Sequence, residues 1–246
     1  MKKLRVVIAG AGGKMGRALI EAAGADPALA LAASFDIGDD AAEAIGAGDV
    51  VIDFTRPEGS LANLAHCQAL GKAMVIGTTG FSATDRSQIE AAAKKIPIAL
   101  SPNFAIGVNA VFKLAEVAAG ILGEGFDIEI IEAHHRQKVD APSGTALKLG
   151  EIVSSVLKQE LSSASVHGRH GDTGARPAKQ IGFHAIRGGD IVGEHTVVFA
   201  GVGERVEITV RSQSRMTYAL GALRAARFLG GKRPGLYGMN DVLGLK

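Results

Sequence analysis

Over the first hundred residues, short apolar runs alternate with longer stretches of helical character. The runs at 4–9, 29–35, 50–54, 73–76 and 96–100 are dominated by aliphatic residues and are followed by Gly, Asp, Thr, Gly and Ser. Between them, 15–23, 59–70 and 83–95 are alanine-rich or carry apolar residues at helical spacing. Strands without polar alternation, separated by helices, argue for parallel βαβ units buried on both faces. Right-handed crossovers then produce a doubly wound sheet.

The pattern changes after about residue 103. A helix is predicted over 108–122, a strand over 127–133, and a longer helix over 143–161 with Pro142 and Ser143 at its start. The polar, glycine-bearing stretch 162–180 is too long for a tight turn and reads as a functional or flexible loop. Strands follow at 181–186, 191–199 and 205–211, and Arg187-Gly188-Gly189-Asp190 between the first two is good hairpin chemistry. A final helix over 218–229 stops at Gly230-Gly231. The second half is therefore expected to be α+β with mostly antiparallel neighbours.

Gly10-Ala11-Gly12-Gly13-Lys14-Met15-Gly16 sits between the first strand and the first helix. A bare backbone there lets a pyrophosphate approach the amides of the helix N-terminus, and small residues let the helix pack close to the strand. The second half of this fingerprint is an acid about twenty positions on, after the second strand; Asp36 occupies it. The pattern makes the first sheet Rossmann-type and favours a dinucleotide over a glycine turn that only packs. A carboxylate at Asp36 repels a 2′-phosphate and Ile37 offers no guanidinium, while Lys14 remains as a cation, so NADH is favoured slightly over NADPH. Ligands of doubly wound sheets lie beyond the carboxyl ends of the strands. Gly77-Thr78-Thr79-Gly80 and Ser101-Pro102-Asn103-Phe104 are thus expected to border the nicotinamide.

A second chemical constellation is Glu132-Ala133-His134-His135-Arg136-Gln137-Lys138-Val139-Asp140-Ala141-Pro142-Ser143-Gly144-Thr145-Ala146. It is locally basic and leads into a helix N-terminus. The amides of Gly144 and Thr145, with the hydroxyls of Ser143 and Thr145, suit a carboxylate. His134 and Lys138 can each donate a proton near neutral pH if burial or like charge lowers the lysine. Zinc is disfavoured, because Cys67 is the only cysteine and no paired ligand spacing accompanies it. His167 and His170 read as solvated loop residues, and Cys67 as a small core residue.

Composition narrows the field. Glycine makes up 33 of 246 residues, nearly double the roughly 7% of an average chain, without a Gly-X-Y period. The formal net charge of +2 gives no electrostatic case for a nucleic-acid or membrane partner. The longest charge-free stretch, 96–112, contains Pro97, Pro102, Asn103 and Asn109 and is no membrane span. One cysteine precludes an intrachain disulfide and fits a reducing compartment. With no targeting segment visible, the expected location is the cytoplasm.

The run EAHHRQKVDAPSGTA resembles the active-site signature of the dihydrodipicolinate reductase family of bacterial lysine biosynthesis. The resemblance extends, in order, through VVIAGAGGKMGR, VIDFT, VIGTTG, SPNFAIGVN, GDTGAR, IRGGDIVGEHTVVFAG and SRMTYALGAL, nearly the whole chain. It implies a dinucleotide-binding Rossmann domain formed by 1–105 and 215–246, and a substrate-binding and oligomerisation domain over 106–214 that builds a homotetramer. It implies reduction of a cyclic unsaturated dicarboxylate with NADH or NADPH, with release of water. Gly10, Ala11, Gly12, Gly13, Lys14, Met15, Asp36, Gly77, Thr78, Thr79, Ser101, Pro102, Asn103 and Phe104 would hold the cofactor. His134 would donate or accept a proton, Lys138 would donate one, and His135, Gly144 and Thr145 would bind substrate. Three departures stand out: Gln137 replaces a frequent His, 210–213 lacks a common His, and Ile37 replaces a frequent Arg.

On this reading, hydride transfer leaves an enamine-type species whose proton comes from His134 or Lys138. Closure about hinges near Ile106 and Arg215 would precede chemistry. Two other readings remain open from the residues alone: a different two-domain nicotinamide dehydrogenase, and a sensor that binds NAD(P) without turnover.

Overall fold

A computed structural model describes residues 3–123 and 125–245. The chain divides into two compact units, Met1–Ile106 with Arg215–Lys246, and Gly107–Ser214.

The first unit opens with β1 (Leu4–Ala9), α1 (Lys14–Ala25), β2 (Leu29–Phe35), α2 (Ala41–Gly46) and β3 (Val50–Asp53). It continues through α3 (Pro57–Leu70), β4 (Ala73–Ile76), α4 (Ala83–Ala93) and β5 (Pro97–Leu100). The second unit contains α5 (Ile106–Leu122, its first residue belonging to the first unit), β6 (Asp127–His134), α6 (Gly144–Val156), α7 (Leu161–Ala164) and β7 (Ser165–His167). It ends with β8 (Ile181–Arg187), β9 (Gly193–Ala200) and β10 (Arg205–Ser212). The chain then returns to the first unit as α8 (Met216–Leu229), β11 (Gly235–Tyr237) and α9 (Met239–Leu243).

Sheet order in the first unit is β11-β5-β4-β3-β1-β2, with every pairing parallel. Its central strands are mostly apolar because both faces are covered. Val6, Ile8, Val50, Ile52 and Val75 pack with Ala219, Leu223 and Leu229 of α8. Val7, Val51, Met74, Ile76 and Ile98 pack with Leu64 of α3 and Ile89 of α4. Strand order reverses between β1 and β3, which makes their carboxyl ends the switch point where ligands of such sheets bind.

The second unit is a five-stranded mixed sheet of order β10-β9-β6-β8-β7. Ile128, Ile130, Val197 and Phe199 pack against Ala115, Leu149 and Val153 of the helices. Four expectations are corrected here. β8 and β9 form no hairpin: they flank β6, β8 parallel and β9 antiparallel to it. The link 188–192 therefore crosses the carboxyl end of β6, and the Gly188 amide donates to His134 O at 3.0 Å. Neighbours are not mostly antiparallel, since β7 also runs parallel to β8. The helix expected over 143–161 is two, with Lys158 at φ +53 in the left-handed region between them. The stretch 162–180 contains the end of α7 and all of β7, and the short elements α2, β11 and α9 carry too few residues for a periodic signal.

Gly16 of α1 lies so close to the turn after β1 that an added Cβ would overlap Gly10 O and the backbone of Ala11. Gly16→Ala should therefore cost about 1–3 kcal/mol in denaturant unfolding. Parent-like stability would show that the turn has room to yield.

Candidate active site

The glycine turn leaves β1 at Gly10, whose φ of +72 suits glycine. Gly13 caps α1 with backbone only, and no side chain bonds the first turn. The amides that open α1 thus have no side-chain competitor for an anion. Asp36, past the end of β2, accepts from Gly12 N at 2.7 Å and from Ile37 N at 2.8 Å. The Ile37 and Gly12 amides hold its carboxyl below the usual range. An added Cβ on Gly12 would meet Asp36 Oδ2 at 2.8 Å, so the turn and the acid form one closely fitted edge. A cavity of about 610 Å³ lies at this switch point, lined by Gly10, Gly13, Asp36, Phe54, Thr55 and Arg56 among others. Its size suits a nucleotide portion. A larger hollow of about 1150 Å³ lies at the opposite, amino ends of the strands, around Leu4, Val50 and Ile96.

The next two turns are anchored by a buried acid that the sequence reading passed over. Asp53, the last residue of β3, is fully buried. Its Oδ1 accepts from Thr55 N and Oγ1, from Ser60 Oγ and from Thr78 Oγ1, at 2.7–3.2 Å. Its Oδ2 accepts from Asn63 Nδ2 at 2.7 Å. Thr78 is thereby turned inward, and Thr79 is exposed. Gly77 is required because a Cβ would overlap the ring of Phe54, which stands edge-on to Phe104 with centroids 5.7 Å apart. After β5, Ser101 Oγ donates to Asn103 O at 2.8 Å and Asn103 Oδ1 accepts from Ala105 N at 2.9 Å, while Pro102 is exposed. The cofactor-side expectations thus converge at the carboxyl ends of β1 to β5 within one unit.

In the second unit, β6 carries Glu132 and His134 on one face, two residues apart. Glu132 is 1% exposed and takes a bidentate grip from Arg187 of β8, Nη2 to Oε1 at 2.7 Å and Nη1 to Oε2 at 2.8 Å. Its Oε2 also lies 2.6 Å from His134 Nδ1, and Oε1 accepts from Ser143 N at 3.1 Å. Burial pushes the Glu132 carboxyl up, but Arg187 and His134 together hold it below its ordinary value. Burial lowers the His134 imidazole, and Glu132 offsets only part of that. His195 of β9 pairs across from Glu132, and its ring stands edge-on to His134 at 5.1 Å.

Ser143 departs from its expected role. It is 2% exposed, caps α6 by accepting from Ala146 N at 3.2 Å, and its hydroxyl lies 2.9 Å from His195 Nε2. Its polar atoms serve the interior. Gly144 and Thr145 follow at the more open first turn of α6. Lys138 Nζ donates to both oxygens of Asp140 at 2.7 and 2.8 Å, an acidic partner inside the same loop. Among the described residues, His135 Nδ1 is buried without a hydrogen-bond partner.

Glu132, Arg187 and His195 complete this cluster, and the sequence reading assigned them no role. An acid in register with Ile128 and Ile130, on the face that forms the core, was the available signal for Glu132. Arg187 and His195 depend on the order of β8 and β9 about β6, which a hairpin reading reverses. Cys67 is fully buried, and burial first of all pushes its thiol up to about 12, so no thiolate is available there. Among the described residues no helix is long and apolar enough to cross a membrane.

A parallel sheet with an uncapped glycine turn at its switch point, joined in one chain to a mixed sheet that bears a buried acid and imidazole with a lysine in the loop after them, defines a Rossmann-type oxidoreductase of two units. Residues 4–104 match the family model described as dihydrodipicolinate reductase, N-terminus, and 107–243 the one described as dihydrodipicolinate reductase, C-terminus. The chain belongs to the dihydrodipicolinate reductase family. It is 58% identical to the 4-hydroxy-tetrahydrodipicolinate reductase of Aromatoleum aromaticum, covering all of this chain and 97% of that one. It is 53% identical to that of Dechloromonas aromatica over the full length of both. A dipicolinate-bound dihydrodipicolinate reductase from Paenisporosarcina sp. TG-14 superposes with a TM-score of 0.78 at 26% identity, covering 98% of this chain and 99% of that one.

His195 is 4% exposed, and burial, then the neighbouring His134, bring its imidazole down to about 4. The folded value lies below the ordinary 6.5, so the unfolded chain takes up this proton first. Its contribution to stability is full above pH 6.5 and is lost as pH falls toward 4. The loss is on the order of 3 kcal/mol. His195→Gln should flatten the pH dependence of unfolding free energy over that window, measured by denaturant titration; an unchanged slope would contradict the assignment.

Proposed function

We propose that this protein reduces 4-hydroxy-tetrahydrodipicolinate to tetrahydrodipicolinate, with release of water, as a step of lysine and diaminopimelate biosynthesis in the cytoplasm. The observation that carries the reading is the His134 cluster, built on β6 in a chain whose full-length relatives bear that name. A bound nicotinamide dinucleotide supplies the hydride. Gly10, Ala11, Gly12 and Gly13, whose own amides are bonded within the turn, form the bare surface its phosphates approach, and the amides of Lys14 and Met15 at the start of α1 donate to them. Asp36 accepts from a ribose hydroxyl, and Gly77, Thr78, Thr79 and Ser101 to Phe104 shape the nicotinamide end. His135 and the amides of Gly144 and Thr145 hold the substrate carboxylates, with Ser143 fixing the start of α6 behind them. His134 and Lys138 manage the proton.

NADH is the preferred form in this reading. Asp36, Asp39 and Glu58 line the 610 Å³ cavity against Arg56 as the one cation, and Lys14 is not among its lining residues. A 2′-phosphate would meet a net negative wall. Direct titration should give a lower Kd for NADH than for NADPH, and the reverse order would overturn the preference. We also place this chain in a homotetramer. The sheet face bearing Glu129, Ile131, Thr196 and Val198 is the one opposite the helix-covered core, which leaves it for a second copy.

The activity is tested by oxidation of NADH in the presence of freshly made dihydrodipicolinate synthase product. Lys138→Ala should lower kcat by about 10²–10⁴-fold and leave NADH affinity nearly intact. Parallel loss of both would make Lys138 structural. Turnover only with an oxo acid plus ammonia would indicate an amino-acid dehydrogenase, and cofactor binding without any turnover a sensor.

A further inference from the structure

Ile128 and Ile130 share a face with Glu132 on β6 and meet the needs of the core without charge. A buried acid gripped by arginine gives little net stability compared with apolar packing, so the core does not explain Glu132. Its bonding does. Three donors secure the carboxylate, two from Arg187 and one from Ser143 N, and the remaining direction is taken by His134 Nδ1 at 2.6 Å. An ionised carboxylate only accepts, so Nδ1 of a neutral His134 must carry the proton. Nε2 is then the ring nitrogen left for exchange with a ligand.

We propose that Glu132 is a positioning residue for the reduction, clamped by Arg187 and Ser143 so that it fixes the orientation and tautomer of His134 and reserves Nε2 for the proton. The proposal rests on the catalytic reading of His134. The charged and titratable groups acting on that ring are Glu132, Lys138 and Arg187, with His195 edge-on to it. Burial, Lys138 and Arg187 lower the His134 imidazole, whereas Glu132 raises it. Loss of the Glu132 charge therefore moves the limb of the rate profile set by His134 to lower pH.

The test uses the intact enzyme with NADH and substrate. Glu132→Gln should reduce kcat about tenfold to a hundredfold, the range found for carboxylates that orient metal-ligating histidines, with little change in substrate KM and the limb set by His134 displaced downward. In a His134→Gln background the same change should add almost nothing, because both act through one ring. Nitrogen NMR of the unmodified protein should show the His134 proton on Nδ1 above the titration, a readout that survives if Glu132→Gln fails to fold. A proton on Nε2, or losses that multiply in the double variant, would overturn the positioning role alone. Full turnover in His134→Gln would remove the catalytic reading and the positioning role with it.

Discussion

A carboxylate taken out of water has to be surrounded by donors, and this requirement shapes both units. Asp53 ends β3 fully buried and Glu132 stands 1% exposed near the end of β6. Neither could remain there without the groups that converge on it. Asp53 draws in Thr55, Ser60, Asn63 and Thr78 and so ties the start of α3 to the turn after β4. Glu132 draws in Arg187, Ser143 and His134 and ties β8, the start of α6 and the end of β6 together. The loops that carry the proposed chemistry hang from these two acids.

The two solutions differ in kind. Asp53 is satisfied by neutral hydroxyls and amides, which set backbone positions without adding charge. Glu132 is satisfied by a guanidinium and an imidazole, which leaves a charged network whose balance reaches the neighbouring rings. The same pocket then keeps His195 neutral through burial, down to about pH 4, while at His134 the adjacent acid offsets part of the lowering that burial causes. Two imidazoles with centroids 5.1 Å apart thus titrate under different balances, one governed by burial and the other by burial against a bonded carboxylate.

Elements with strong periodicity were legible in the amino-acid sequence. β1 and β2 begin and end where the apolar runs do, each run closing at a glycine or acid of the following turn. The glycine turn and Asp36 were legible because both demands are local: positive φ or close approach on one side, an acid after a strand on the other. Arrangement within the mixed sheet was not. Arg187-Gly188-Gly189-Asp190 has hairpin residues, yet the link bridges across β6, so the strand order is not set by turn chemistry. Since that order decides what faces Glu132, the partners Arg187 and His195 stayed hidden with it. Ser143 shows the complementary limit. Its place at the helix start was readable, but the direction of its hydroxyl depends on His195, 52 residues away.

The return of the chain to its first unit governs the order in which the protein can be completed during synthesis. Ala219, Leu223 and Leu229 of α8 form one side of the core around Val6, Ile8, Val50 and Ile52, and β11 extends the sheet beyond β5. These residues leave the ribosome after the whole of Gly107–Ser214. The inserted unit, contiguous in sequence, can close while its host still shows bare aliphatic strands on one face. A nascent chain of this protein therefore leaves its first-made sheet half-covered until α8 and β11 have emerged, and it is the older half that a holdase chaperone would have to shield.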